Sequence, residues 1–363
     1  MSPPNGDVPV DVPSGPWLLV AGMHRSGTSA VSGALGGLGF QTPSPDDRMD
    51  WPESNPEHWE SLSLTLHDDL ALSLLGGSWD APPDLPDGWE PGVELVDAPD
   101  PRPLVAAAFP EPGALVWKDP RLSLLFPYWR PILPDPLAVV VVWRSPMAVA
   151  DSLHRRDGMD LLHGVALWER YNRSALATFA GVDTYIASYE GLLADPPAFV
   201  ESITGWLGSL DRFDDLAGRW DLDAAVASLS GSMDHHGELD DGVLLDEQRQ
   251  LVALLTASEG GHRSLRIEHL GAESPWTTSL IRGRREFRSR ELDAERTAHG
   301  YRVAEVQAMA DFWERTANEM TASTSWRVTR PLRSAVARVQ RPTPSSGRLG
   351  DSPGNDIARD PSH

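Results

Sequence analysis

Residues 17–29 read Trp17-Leu18-Leu19-Val20-Ala21-Gly22-Met23-His24-Arg25-Ser26-Gly27-Thr28-Ser29. The unbroken apolar run fits a strand buried on both faces, and it gives way at Gly22 to a short polar turn closed by a second glycine, Gly27. From Ala30 to Leu38 the residues suit a helix. A strand, a glycine-bounded turn and a helix N-terminus in that order aim backbone N–H groups and the positive end of a helix dipole at one point, which makes a cradle for an anion such as phosphate. The common loop for a nucleoside triphosphate, GxxxxGK[ST], carries lysine directly after its second glycine. Here that position is Thr28, and the basic group is Arg25, two places before Gly27. The expected anion contacts are therefore Gly22, His24, Arg25, Ser26, Gly27, Thr28 and Ser29. The alternative is a merely tight strand-to-helix turn.

Three further segments can be read beside the first. Leu137–Trp143 is a β-branched run suited to a buried parallel strand, and it ends in Arg144. Pro146 then suits a first helical turn, with Ser152 about two turns on. A guanidinium offers a planar fork of donors to a phosphate, and a hydroxyl adds another. Otherwise Arg144 would pair with a surface carboxylate and Ser152 would be an ordinary helix serine. Asp183–Ser188 is a strand candidate followed by Tyr189-Glu190-Gly191-Leu192, where the tyrosine is either a purine platform or half-buried core. Ala114–Arg121 is a short strand ending in a charged turn that holds Lys118, the only lysine beside thirty arginines. A compact ammonium kept where arginine is otherwise preferred points to a chemical role.

These four ordered segments, over roughly residues 15–210, resemble the bacterial-type sulfotransferases that use 3′-phosphoadenosine 5′-phosphosulfate (PAPS) as sulfonate donor. The resemblance implies an α/β fold, a P-loop-like three-layer sandwich with a mainly parallel sheet, binding its donor at the strand C-termini. It implies that the Gly22–Ser29 loop holds the 5′-phosphosulfate, that Arg144 and Ser152 hold the 3′-phosphate, and that Tyr189 lies against the adenine. It also implies that Lys118 sits near the bridging oxygen, where it and Arg25 would stabilise developing charge. Asn55-Pro56-Glu57-His58-Trp59-Glu60 resembles a family segment whose glutamate is the general base, which implies that role for Glu60. Neighbouring aromatic residues can raise a glutamate toward the working range of a base. Alternatively, Glu57 and Glu60 form a solvated face of a helix running on through Leu70, with His58 and Asp119 as the fallback bases. The family's arginine-lysine-glycine loop has only a faint echo at Arg282-Gly283.

Other chemistries find less support. Asp234-His235-His236 lacks a second spaced ligand cluster, so no metal site is expected. The Val139–Val142 run ends in Trp143 and Arg144, not in the aspartate of a Mg²⁺-dependent P-loop enzyme. There is no cysteine and no G-x-S-x-G elbow. The runner-up readings are a nucleotide-dependent kinase with a degenerate loop and a non-catalytic scaffold in a glycan-assembly complex.

The 363 residues carry a formal charge of −22. Residues 1–280 hold 16 basic and 42 acidic side chains, a balance of −26, whereas residues 281–341 hold 13 and 8, a balance of +5. Such an acidic core makes nucleic acid an unfavourable partner and leaves donor binding to local N–H groups and a few arginines. The partners expected are the small-molecule donor and a hydroxyl-bearing acceptor. Met1–Gly15 shows no charged-then-apolar leader, the chain has no disulfides, and its apolar runs are too short for a bilayer, so a cytoplasmic protein is expected.

The organisation expected is a disordered N-terminus over residues 1–15, a sulfotransferase-like α/β domain over 16–280, a helical appendage with a basic tail over 281–341, and a disordered end over 342–363. Ala81–Gly113 reads as a proline- and acid-rich insertion over the acceptor side. Residues 147–180 read as helical, with further helices near 196–208 and 243–257. A long polar helix from about Arg284 to Thr321 carries a spaced apolar stripe suited to packing on the core or to self-association. Ser325–Arg333 resembles a tail of bacterial transferases that build cell-surface glycans. That basic stretch reads as folding back on the acidic core, with contact to the inner membrane as the alternative.

Overall fold

The computed structural model describes residues 12–49, 59–85, 95, 97–230 and 241–322. The apolar run of the first segment forms β1 (Trp17–Gly22), after which come α1 (Thr28–Gly37), α2 (Leu62–Leu74) and α3 (Arg102–Ala108). Next are β2 (Leu115–Lys118), α4 (Leu122–Trp129), β3 (Leu137–Trp143), α5 (Pro146–Asp157), α6 (Leu161–Thr178) and β4 (Asp183–Ser188). The chain continues through α7 (Tyr189–Ala194), α8 (Pro196–Leu207), α9 (Asp214–Ala217), α10 (Leu222–Ser230) and α11 (Asp246–Ala257) to β5 (Gly260–His262) and α12 (Pro275–Ala322). Residues through Arg290 form one compact unit, and those from Glu291 form a second.

The strands form one sheet in the order β2-β1-β3-β4-β5, the first four parallel and β5 antiparallel at the edge. Because strand side chains alternate, β1 feeds two cores. Trp17, Leu19 and Ala21 pack with Leu64, Leu125, Val149 and Leu167 on one face. Leu18 and Val20 pack with Val31, Leu35, Val200 and Ala225 on the other. Helices thus cover both faces, and the expected three-layer α/β sandwich with a mainly parallel sheet is what the chain forms. The register pairs Val20 with Lys118, Gly22 with Val142 and Trp143 with Ser188. The segments leaving β1 to β4 therefore start from one edge of the sheet.

Four details differ from the sequence reading. The helical stretch 147–180 is two helices, because Gly158 takes a left-handed conformation at the end of α5 and Asp160 caps α6 by accepting from Leu162 and His163 N–H. The Ala81–Gly113 connection contains α3. The edge strand Gly260–His262 has no β-forming side chains and is made by pairing with β4. The last helix starts at Pro275, ahead of Arg284. Among the described residues no helix is long and apolar enough to cross a membrane. The basic stretch Ser325–Arg341, Met1–Asp11 and the end over 342–363 lie outside the described residues.

A single buried carboxylate ties α6, α11 and the start of α12. Glu169 accepts from Arg173 Nε at 2.9 Å, Gln248 Nε2 at 3.1 Å, Ser274 N–H at 2.8 Å and Thr277 Oγ1 at 2.7 Å. Burial alone would raise its pKa, but the bonds from Thr277, Ser274 and Arg173 outweigh it and hold the carboxyl below the usual glutamate range. Its stabilisation is therefore present above the unfolded pKa of about 4.3 and is lost as pH falls through the lower folded value. Glu169→Ala leaves the buried Arg173 guanidinium uncompensated and should cost about 3–5 kcal/mol in urea denaturation at pH 7, with the deficit shrinking toward pH 3; a variant as stable as the parent would contradict the assignment.

Candidate active site

The turn after β1 is built from backbone that only particular residues tolerate. At Gly22, φ is 144°, and a Cβ there would stand 2.1 Å from the Val142 carbonyl oxygen of β3. At Gly27, φ is 90°, and a Cβ would stand 2.1 Å from the Tyr189 ring. Both glycines are thus required by close approach as well as by handedness. Between them Arg25 is held at φ 69°, an uncommon conformation for a side-chain-bearing residue. Ser26 N–H donates to Met23 O at 3.1 Å and closes the turn. Gly27 then starts α1 with no side-chain cap and no acidic residue in the first turn. That helix end offers N–H groups and a positive dipole end to an anion.

The predicted phosphate residues converge on this turn from three other elements. Arg25 Nε donates to Ser152 Oγ of α5 at 2.9 Å. Arg144, just past β3, donates from Nη1 to Arg25 O at 3.3 Å, and its guanidinium stacks 4.7 Å above the Tyr189 ring. The main chain of Arg144 is fixed in turn by Trp168, whose Nε1–H donates to the Arg144 carbonyl at 2.8 Å. Tyr189 opens α7 directly after β4 and is buried, with its ring against Gly27. Burial depresses the pKa of Arg25, and the positive charges of Arg156 and Arg144 depress it further. Cations collected this closely favour an anion among them. Two loop atoms point the same way: Ser26 Oγ and His24 Nε2 are enclosed without a hydrogen-bond partner. Thr28 is buried and Ser29 half-buried in the first turn of α1.

On the β2 side of the loop lies a buried lysine–glutamate salt bridge. Lys118, 2 % exposed at the end of β2, donates to Glu60 Oε1. Glu60 precedes the N-cap of α2, Ser61, so it stands in the segment entering the helix and not on its solvated face. It is buried. His24 feels the charges of both, and its ring lies 4.7 Å from Trp79 and 5.7 Å from Tyr171. Burial, reinforced by the charge of Arg121, holds the His24 pKa well below its usual value, so its ring is neutral at pH 7. Asn55–His58 lie outside the described residues, and with them the fallback base His58. Trp59 of the same motif turns to α1, where its indole meets the face at Gly33.

Asp119 follows β2 directly, whereas β3 ends in Trp143 and is followed by Arg144. Asp119 accepts from Arg121 N–H at 2.8 Å, from Arg121 Nη1 at 3.1 Å and from Thr65 Oγ1 at 3.2 Å. Both oxygens are thus engaged, and burial raises the Asp119 pKa although Arg121 pulls it the other way. Arg282, the echo of a phosphate loop, stands inside α12 at 4.0 Å from Asp84 and belongs to no loop. Asp234–His236 lie outside the described residues, among which no group of three or more His, Cys, Asp or Glu is placed to hold a metal ion. A separate cavity of about 670 Å³ lies by Arg170, Arg173 and Glu273, which pair among themselves and with their surroundings.

No protein-family model matches the chain, and no curated protein matches it. Among solved structures it is similar to the sulfotransferase domain of the olefin synthase of Synechococcus PCC 7002, at 18% identity over 75% of this chain and 95% of that one, with a TM-score of 0.33.

The sequence reading missed Asp68, which sits in α2 between His67 and Asp69 and is fully buried. Its Oδ1 accepts from Trp129 Nε1 at 2.7 Å, while Oδ2 is enclosed without a partner. Burial, and then the nearby Asp119, push its pKa well up. A carboxyl with a raised folded pKa stabilises below the unfolded value of about 3.9 and loses that contribution as pH rises through the folded value. Asp68→Asn removes that loss. The variant should resist urea better than the parent at pH 8 and equally at pH 4; a variant less stable at pH 8 would show that Asp68 is ionised and matched.

Proposed function

We propose that this protein is a PAPS-dependent sulfotransferase that moves a sulfonate group to a hydroxyl of an acceptor. The observation that carries the reading is the cluster of Arg25, Arg144 and Ser152 on the uncapped start of α1, with a buried lysine on the neighbouring strand. In this reading the N–H groups of the turn and Arg25 receive the 5′-phosphosulfate. Arg144 and Ser152 take the 3′-phosphate. Tyr189, already stacked on a guanidinium, supplies an aromatic edge for the adenine. The acceptor oxygen bonds to sulfur as the bond from sulfur to the 5′-phosphate oxygen breaks, the hydroxyl proton passes to Glu60, and adenosine 3′,5′-bisphosphate leaves. Lys118 stabilises the charge that gathers on the departing oxygen. The contact with Lys118 suits this division of labour, because it sets the proton acceptor and the cation side by side. The acceptor class this reading favours is a cell-surface glycan or glycolipid, on the resemblance of Ser325–Arg333.

Asp119 is the observation that favours the second reading, a nucleotide-dependent kinase, since a strand-end carboxylate beside a phosphate loop can serve a metal–nucleotide complex. Its bonds to Arg121 and Thr65 weigh against that use. Calorimetry separates the two. Adenosine 3′,5′-bisphosphate should bind equally with and without Mg²⁺ and at least tenfold more tightly than ATP, because Arg144 and Ser152 recognise a phosphate that ATP lacks. Mg²⁺-dependent ATP binding with no response to the bisphosphate would establish the kinase reading instead.

Substitution then tests the chemistry. Lys118→Ala should lower sulfonate transfer by about 10²- to 10³-fold, as expected for loss of a group aimed at transition-state charge. Glu60→Gln should leave bisphosphate affinity within about twofold of the parent while turnover falls by about 10²-fold or more, and should remove the acidic limb of the pH–rate profile. Parental turnover in both variants would refute the assigned roles.

A further inference from the structure

Trp79 is the half-buried aromatic residue that touches the turn from outside the sheet, and the chain around it is held from two directions. Its ring lies 4.7 Å from His24 and 5.4 Å from the guanidinium of Arg156, one of the charges that depress the Arg25 pKa. From α6, Tyr171 Oη–H donates to Trp79 O at 2.9 Å, and His163 Nε2 meets Asp80 O at 2.7 Å. From the first turns of α12, Arg288 Nη1 donates to Asp80 Oδ1 at 2.5 Å, Arg284 Nη2 to Asp80 Oδ2 at 3.4 Å, and Arg285 Nη1 to Pro82 O at 3.1 Å. Arg285 also pairs with Asp84. Asp80 is only 5% exposed, so its charge must be matched by these arginines for the strap to stay down.

We propose that Trp79 is a positioning residue for the anion-binding turn and that the arginines of α12 hold it there. Resting on the candidate site described above, this gives the basic start of α12 a purpose beyond packing. The strap around Trp79 presses on His24, the residue before the strained Arg25, and so limits how far the turn can relax when no anion occupies it. Without that contact the turn spends ordering free energy at the moment of binding, and affinity falls. The arginines are partly exposed, Arg284 at 41% and Arg288 at 40% of the side chain, so salt weakens their hold.

Hydrogen exchange on the full chain, free of nucleotide, tests this in three forms: parent, Trp79→Ala and Arg285→Ala/Arg288→Ala. In both variants the amides of Met23–Thr28 should exchange about tenfold faster while those of β3 keep the parental rate, and adenosine 3′,5′-bisphosphate should bind about tenfold more weakly. Raising salt should bring the parent's turn toward the rate of the double arginine variant and change that variant little. The double variant truncates two partly exposed side chains outside the hydrophobic core and keeps Arg284 on Asp80, so it decides the matter if Trp79→Ala does not fold. Parental protection of Met23–Thr28 in the double variant would overturn the proposal. Faster exchange in a protein whose parent form ignores the bisphosphate would uphold the positioning role and count against the sulfotransferase reading alone.

Discussion

The close approach of the β1–α1 turn to its neighbours governs the arrangement of the site. Gly22 lies against the Val142 carbonyl and Gly27 against the Tyr189 ring, at distances that leave no room for a Cβ. Any larger residue would push the turn off the ends of β3 and β4. With the turn seated, Arg25 falls between Ser152 of α5 and the chain at Arg144, and α1 starts with its N–H groups facing the same space. The parallel register does the rest, because it brings the ends of β1, β2, β3 and β4 to one edge. Residues more than a hundred positions apart in sequence become neighbours through two glycines and a sheet.

Charge at this edge runs against the character of the chain. A balance of −26 over residues 1–280 repels an anion at long range, beyond about 8–10 Å, where salt screens the field in any case. Inside that distance the turn presents a helix N-terminus and several guanidinium groups, and Arg25 already feels the repulsion of Arg144 and Arg156. Recognition on this account is local, with affinity supplied by hydrogen bonds and desolvated charge and not by steering. The β2 side is organised differently. There, Glu60, Asp68, Asp119, Arg121 and Lys118 are buried, each positive group has an acidic partner, and burial with the nearby Asp119 pushes the Asp68 pKa well up.

What the sequence disclosed followed from local physics. The β-branched run Leu137–Trp143 can hardly be anything but a buried strand, and Gly22 and Gly27 mark a turn that needs unusual backbone. The sheet was therefore within reach, while the grouping of Arg25, Arg144, Ser152 and Tyr189 came from the resemblance of the ordered segments. Glu60 was legible as a candidate but not as a buried partner of Lys118, since a carboxylate one residue before a helix cap looks the same as one on the helix. The break at Gly158 was missed because a single glycine in a helical pattern is weak evidence until a cap such as Asp160 follows. Trp79 and the arginines of α12 were out of reach for another reason. Their partners lie some two hundred residues away, and neither Ser78-Trp79-Asp80 nor Arg284-Arg285 carries a local sign of the other.

The central claim is that this edge of the sheet is an anion site which reads two phosphates of one nucleotide. A crystal structure of the protein grown with adenosine 3′,5′-bisphosphate tests it most directly. The account predicts the 5′-phosphate on the N–H groups of the Arg25–Ser29 turn and the 3′-phosphate between Arg144 and Ser152, with the adenine beside Tyr189. A nucleotide seated instead in the cavity by Arg170 and Arg173, or a turn left unchanged and empty at saturating ligand, would contradict it.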